Sequence, residues 1–219
     1  QTRYNRAGSD TPMILSQGTR LGPYDILAPL GAGGMGEVYL ANDTRLARKV
    51  ALKSVNDARA ASPEARARLL HEARAAATLN HPNIAAIYDV LDAEGHAIIV
   101  MEYVPGETLA TRLARGRPSG DEARSIATQL ARALVHAHAA GIIHRDLKPE
   151  NVFLVQKEER RDVVKVLDFG IAKMTTLDAE GRRLTKTGVI FGTPEYMAPE
   201  QGLGKEVDAR ADIYALGVV

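Results

Sequence analysis

The chain has 219 residues, 45% of them hydrophobic and 25% charged, with 28 Lys+Arg against 27 Asp+Glu and a net charge of +1. That length holds one large domain or two small ones around a real core, and the balanced charge removes any general pull toward nucleic acid or an anionic membrane. Cysteine is absent, so disulfides, thiolate chemistry and Cys-ligated zinc are excluded.

No run approaches the roughly 20 apolar residues that a membrane span requires; the longest, residues 97–101, is strand-sized. Residues 1–12 are polar and carry no signal-peptide core. Met13 reads as a plausible start, and residues 1–19 are expected to form a disordered leader. The chain stops at Leu216-Gly217-Val218-Val219, inside an apolar pattern, and is expected to be a fragment of a longer protein. A cytoplasmic location is expected, either alone or as the cytoplasmic domain of a membrane-anchored parent.

The first third reads as strands. Tyr24-Asp25-Ile26-Leu27, Val38-Tyr39-Leu40-Ala41 and Lys49-Val50-Ala51-Leu52-Lys53 are β-prone runs split by turn residues. A helix follows, with Ser62 as N-cap and Pro63 at its first position. Leu69, Leu70, Ala73, Ala76 and Ala77 recur at helical spacing, and Asn80-His81-Pro82-Asn83 ends the run. Two more strands are expected near residues 84–91 and 97–102. Past Pro105-Gly106 the pattern turns helical. Ser119-Gly120-Asp121-Glu122 is a capping box, Ile126, Leu130, Ala133, Leu134 and Ala137 share one face, and Gly141 closes the helix. Short strands at residues 152–154 and 164–166 and a helix from near Ala211 complete the pattern. It predicts an α+β chain in which a β-rich part joins a larger helical part at about residues 102–105, with a ligand cleft between them.

Three segments carry chemistry. In Gly31-Ala32-Gly33-Gly34-Met35-Gly36-Glu37-Val38 the glycines allow backbone N–H groups to approach phosphates, and they read equally as a tight turn. A β-run follows where a dinucleotide fold needs a helix, and Glu37 stands where a Walker loop needs Lys. Lys53 ends an apolar strand and points either into a cleft or out to solvent. Glu72 lies mid-helix among apolar residues, where a carboxylate is costly unless paired; a Lys53–Glu72 ion pair would hold the ammonium ready for phosphate oxygens. His144-Arg145-Asp146-Leu147-Lys148-Pro149-Glu150-Asn151, followed downstream by Asp168-Phe169-Gly170, packs a base, cations and an amide into one stretch. Carboxylate with amide oxygen is a ligand set that suits a hard cation such as Mg²⁺.

Together with Gly192-Thr193-Pro194-Glu195-Tyr196-Met197-Ala198-Pro199-Glu200, these segments resemble, in order, the motifs of the Hanks-type (eukaryotic-like) protein kinases, in their bacterial Ser/Thr branch. The likeness covers roughly residues 20–219. It implies a two-lobed fold with an N-lobe over 20–103, β-rich with one main helix, and a partial C-lobe over 104–219, incomplete at its end. The implied reaction is transfer of the ATP γ-phosphate to protein Ser/Thr hydroxyls, with ATP and Mg²⁺ as cofactors and protein substrates as partners. A nucleotide-binding but catalytically silent module is the alternative for this chain.

Carried over residue by residue, the likeness implies that Asp146 accepts the substrate proton, that Lys148 contacts the γ-phosphate, and that Lys53, paired with Glu72, contacts the α- and β-phosphates. Asn151 and Asp168 would bind Mg²⁺. Gly31, Ala32, Gly33, Gly34 and Gly36 would cover the phosphates. Val38, Ala51 and Phe153 would enclose adenine, Met101 would be the gatekeeper, and backbone groups of Glu102 and Val104 would read the adenine edge. Arg145 beside the base implies control by an activation-loop phosphate, with Thr185 and Thr187 as the sites and a second kinase copy as a source of trans-autophosphorylation. Thr193 is expected near Asp146 and Lys148, and Asp212 is expected to hold the catalytic loop's backbone. The remaining histidines, His71, His81, His96, His136 and His138, are expected in surface or packing roles.

Overall fold

The structure is a computed structural model that describes residues 15–33, 36–55, 63–93, 96–157, 160–169 and 194–219. Its contacts divide the chain into two compact units, residues 1–73 with 87–103 and residues 74–86 with 104–219.

The first unit is built on one antiparallel sheet. Strands β1 (Arg20–Leu21), β2 (Tyr24–Gly33), β3 (Gly36–Asp43), β4 (Arg48–Val55), β5 (Ile87–Ala93) and β6 (His96–Glu102) lie in the order β1-β2-β3-β4-β6-β5. Period-2 alternation decides what each face carries. Tyr39, Ala41, Val50, Leu52, Ile98 and Val100 point to one side and form a core with Leu15, Tyr24 and Ile26. Residues 15–19, expected to belong to the leader, are among the described residues. Leu15 is buried in that core and its N–H donates to the Tyr39 hydroxyl at 3.0 Å. The β3–β4 turn is set by Asp43, whose buried carboxylate accepts the N–H of Arg45 at 3.0 Å. Helix α1 (Pro63–Ala76) buries Leu69, Ala73 and Ala76, as its spacing predicts; Ser62, its expected cap, lies outside the described residues.

In the second unit β7 (Glu107–Thr108), β8 (Val152–Lys157) and β9 (Arg160–Val166) form a small antiparallel sheet. It is accompanied by α2 (Leu109–Ala114), α3 (Gly120–Ala139), α4 (Pro199–Gly202) and α5 (Arg210–Val218). The capping box of α3 is formed in both directions, Glu122 N–H to Ser119 Oγ at 3.2 Å and Ser119 N–H to Glu122 Oε2 at 3.3 Å. Its C-terminus closes as a Schellman turn. Gly141 has φ +74°, Ile142 N–H reaches Ala137 O at 2.9 Å, and Gly141 N–H reaches His138 O at 3.0 Å. The apolar face of α3 packs with Leu109, Leu147, Val152, Val164, Val166 and Phe169.

Ile84 departs from expectation. It does not open a strand but makes one parallel bridge to Val166, and β5 begins only at Ile87. The cause lies in the preceding turn. Asn83 is buried, its side-chain amide donates to Val164 O at 2.8 Å, and its carbonyl accepts Val166 N–H at 2.8 Å. This ties residues 83–84 to β9, in the second unit. Among the described residues no helix is long and apolar enough to cross a membrane.

Candidate active site

The segment from His144 to Asn151 follows α3 and its Schellman turn and is held by side chains from distant parts of the second unit. Arg145 has φ +63°. For a residue with a β-carbon that left-handed conformation costs about 1–2 kcal/mol, and it persists only where the surroundings over-determine it. Here they do. Asp212, from the first turn of α5 and 1% exposed, accepts the His144 N–H at Oδ2 and the Arg145 N–H at Oδ1, both at 2.8 Å. The Asp146 N–H donates to His144 Nδ1 at 3.2 Å. Asn151 donates its amide to the Asp146 carbonyl at 2.8 Å and to Asp146 Oδ2 at 3.3 Å. Lys148 Nζ stands 3.3 Å from the same Oδ2. One carboxylate is thus aimed by a backbone clamp, an amide and an ammonium.

His144 links this loop to Asp168. Because Nδ1 accepts a backbone proton, Nε2 carries the ring proton and donates to Leu167 O at 2.9 Å. The Leu167 N–H in turn donates to Asn151 O at 2.9 Å. Both sides of the residue before Asp168 are therefore fixed, and Asp168 follows with φ +59°. The His144 ring also packs on Phe169, with centroids 4.7 Å apart.

Complete burial pushes the His144 pKa below its ordinary 6.5, although Asp212 pulls it up. The unfolded chain therefore takes a proton near pH 6.5 that the folded chain refuses until lower pH. Stability from this group is intact above pH 6.5 and falls as the pH drops toward the folded value. His81 shifts in the same direction, through burial and then His136. We expect the thermal midpoint to drop between pH 7.5 and 5.5, and to drop less in His144→Gln, which keeps a donor and an acceptor without titrating. An equal drop in both proteins would show that His144 is not the sensor.

The protein kinase domain family matches residues 24–219 of this chain. The chain belongs to the protein kinase family. It is 44% identical over 198 residues to serine/threonine-protein kinase pkn3 of Myxococcus xanthus, covering 90% of this chain and 36% of that protein. It is 42% identical over 207 residues to serine/threonine-protein kinase PknA of Mycobacterium tuberculosis, covering 92% and 46%. Its relatives place it in the bacterial Ser/Thr branch, and it spans less than half the length of these curated relatives. Among solved structures, the kinase domain of Mycobacterium tuberculosis PknI is 33% identical with a TM-score of 0.72, over 93% of this chain and 74% of that one. A double mutant of the same domain gives 35% and 0.75.

Within the first unit of this kinase domain, sheet register sorts the expected nucleotide residues. Val38 pairs with Lys53 and Lys53 with Ile99; Leu40 pairs with Ala51 and Ala51 with Met101. Paired residues share a face, so Val38, Ala51, Lys53 and Met101 all lie on the face opposite the Tyr39–Leu52–Val100 core. Lys53 is 7% exposed, and Glu72 is half-buried on α1. Gly31, Gly33 and Gly36 lie at the ends of two paired strands, with Gly31 opposite Val38, Ala32 opposite Glu37 and Gly33 opposite Gly36. Gly36 has φ +123°, a conformation that disfavours any side chain. Glu102 ends β6. Val104 and Phe153, on β8, belong to the second unit, with Val104 buried. Gly34, Thr185, Thr187 and Thr193 lie outside the described residues.

Two residues of the kinase domain were passed over by motif reading. His138, expected in a surface or packing role, bonds Asp212 Oδ2 through Nε2 at 2.7 Å. Its position in the last turn of α3 was the available signal. Gln201, on α4, donates to the Arg145 carbonyl, and nothing local in the sequence marks it.

Proposed function

We propose that this protein transfers the γ-phosphoryl group of ATP to Ser or Thr hydroxyls of protein substrates. The observation that carries this reading is the joint hold of Asn151 and Lys148 on Asp146. A substrate hydroxyl donating to Asp146 is oriented for attack and has a base within reach for its proton. The Lys148 ammonium, beside Asp146, supplies charge that stabilises the phosphoryl oxygens as they separate. Catalysis here is positioning and electrostatics, because phosphoryl transfer leaves little covalent work to the protein.

The donor set suits ATP and Mg²⁺. Asn151 spends its amide N–H groups on Asp146, which leaves its carbonyl oxygen as the atom to offer a hard cation, and Asp168 adds a carboxylate on backbone fixed through Leu167. When bound, Mg²⁺ supplies charge neutralisation of the phosphate oxygens. Lys53, paired with Glu72, serves the α- and β-phosphates, and the glycine hairpin covers them with backbone N–H groups. Val38, Ala51, Met101 and Phe153 give the adenine ring apolar contact, and the backbone of Glu102 and Val104 reads its edge. Arg145 receives a phosphate placed on Thr185 or Thr187 by a second copy of the kinase. The reaction takes place in the cytoplasm.

The test is to incubate the chain with Mg²⁺ and ATP beside Asp168→Asn and to map phosphate by mass spectrometry. Phosphate on Thr185 or Thr187 in the unsubstituted chain alone is the expected result. Phosphate only elsewhere would remove the regulatory assignment. Binding of Mg-ATP without transfer would turn the reading into a silent nucleotide-binding module.

A further inference from the structure

The peptide group that joins Arg145 to Asp146 is gripped by side chains at both ends. Its N–H donates to His144 Nδ1 at 3.2 Å. Its C=O accepts from Gln201 Nε2 at 2.9 Å. Gln201 lies in α4, 56 residues further along the chain, and is 9% exposed. Its other amide atom is engaged as well, since Oε1 accepts the Ala198 N–H at 3.1 Å. A side-chain amide can donate at one atom and accept at the other while staying neutral. Arg145 sits at φ +63°, so its carbonyl is turned to a direction that needs an outside donor to hold it. The orientation of this peptide sets where the Asp146 Cα–Cβ bond points.

We propose that Gln201 is a positioning residue for Asp146. It fixes the carbonyl side of the preceding peptide and ties the Ala198-Pro199-Glu200 turn to the catalytic loop. The turn and the base are then one mechanical piece, and a displacement of either is felt by the other. This rests on the phosphoryl-transfer reading for its kinetic consequence, but not for its geometry.

Two variants separate the links. Gln201→Glu keeps an acceptor for the Ala198 N–H but has no donor for the Arg145 carbonyl at neutral pH. Gln201→Met keeps the length of the side chain and loses both bonds. Each is compared with the unsubstituted chain by amide hydrogen exchange at residues 144–146, and by steady-state transfer from Mg-ATP to dephosphorylated casein. Exchange of the Asp146 N–H is expected to quicken roughly tenfold or more in both variants. kcat is expected to fall roughly 10- to 100-fold with KM for ATP within about twofold, because the ATP contacts are untouched. Unaltered exchange and kcat in Gln201→Glu, with or without an effect in Gln201→Met, would overturn the proposal, leaving Gln201 as a cap for α4. If the unsubstituted chain transfers no phosphate, the functional reading fails by itself, and the exchange comparison still decides the positioning claim.

Discussion

Asp146→Asn is expected to lower phosphate transfer roughly a thousandfold while leaving the fold intact. Removing a positioned general base costs about 10²–10⁴ in rate. The substitution is nearly isosteric, and the amide oxygen can still accept from Asn151 and Lys148, the two groups now on Asp146 Oδ2. What disappears is the ability to take a proton and the charge that draws the hydroxyl into line. Turnover on casein, with thermal unfolding measured on the same samples, checks this. A residual rate within tenfold of the unsubstituted chain would mean that Asp146 is not the base.

Asp212→Asn is expected to cost about 3 kcal/mol of stability and to shift the thermal midpoint down by about 10 °C. The Asp212 carboxylate receives three donors, from His138, His144 and Arg145, at 2.7–2.8 Å. An amide has one acceptor atom in place of two. Its NH₂ would face a backbone N–H, leaving two buried donors unsatisfied at about 1–3 kcal/mol each. Arg145 would lose the hold that offsets its left-handed backbone, so turnover should fall further than the loss of folded protein accounts for. Thermal denaturation and turnover on the folded fraction read the two effects separately. An unchanged midpoint would show that the carboxylate is not a structural brace.

Local chemistry made much of this legible. The capping box at Ser119 and the glycine at 141 mark the ends of α3 because both are short-range hydrogen-bond devices. The β-prone runs at residues 38–41 and 49–53 mark two strands, and which of their residues face the core shows only in the structure. The eight residues from His144 read as a site because charge and amide groups crowd them, and Asp146, Lys148 and Asn151 do meet in the structure. Elements that rely on distant partners were hidden. α2 has six residues, too few for a helical period to show. The glycines at 31 and 33 read equally as a phosphate-binding backbone and as a tight turn, and their pairing with β3 as the end of β2 did not show. Ile84 looks like any strand residue, but bonds to β9, among them the Asn83 side chain reaching 81 residues ahead to Val164, hold it elsewhere. Gln201 has no local signature because its partner lies 56 residues back.

The assignment of residues 74–86 to the second unit has a consequence for how the chain comes together during synthesis. Strands β1–β4 can pair in order as they emerge, but β5 cannot join until β6 arrives to stand between it and β4. Asn83 and Ile84 wait longer, for β9, across a loop whose closure entropy grows slowly with length but whose search slows folding. A piece cut from residue 104 onward would lack the segment that donates to Val164 and bridges Val166. The second unit is therefore assembled from two separate stretches of chain, residues 74–86 and 104–219, and the first of them has to wait for the second.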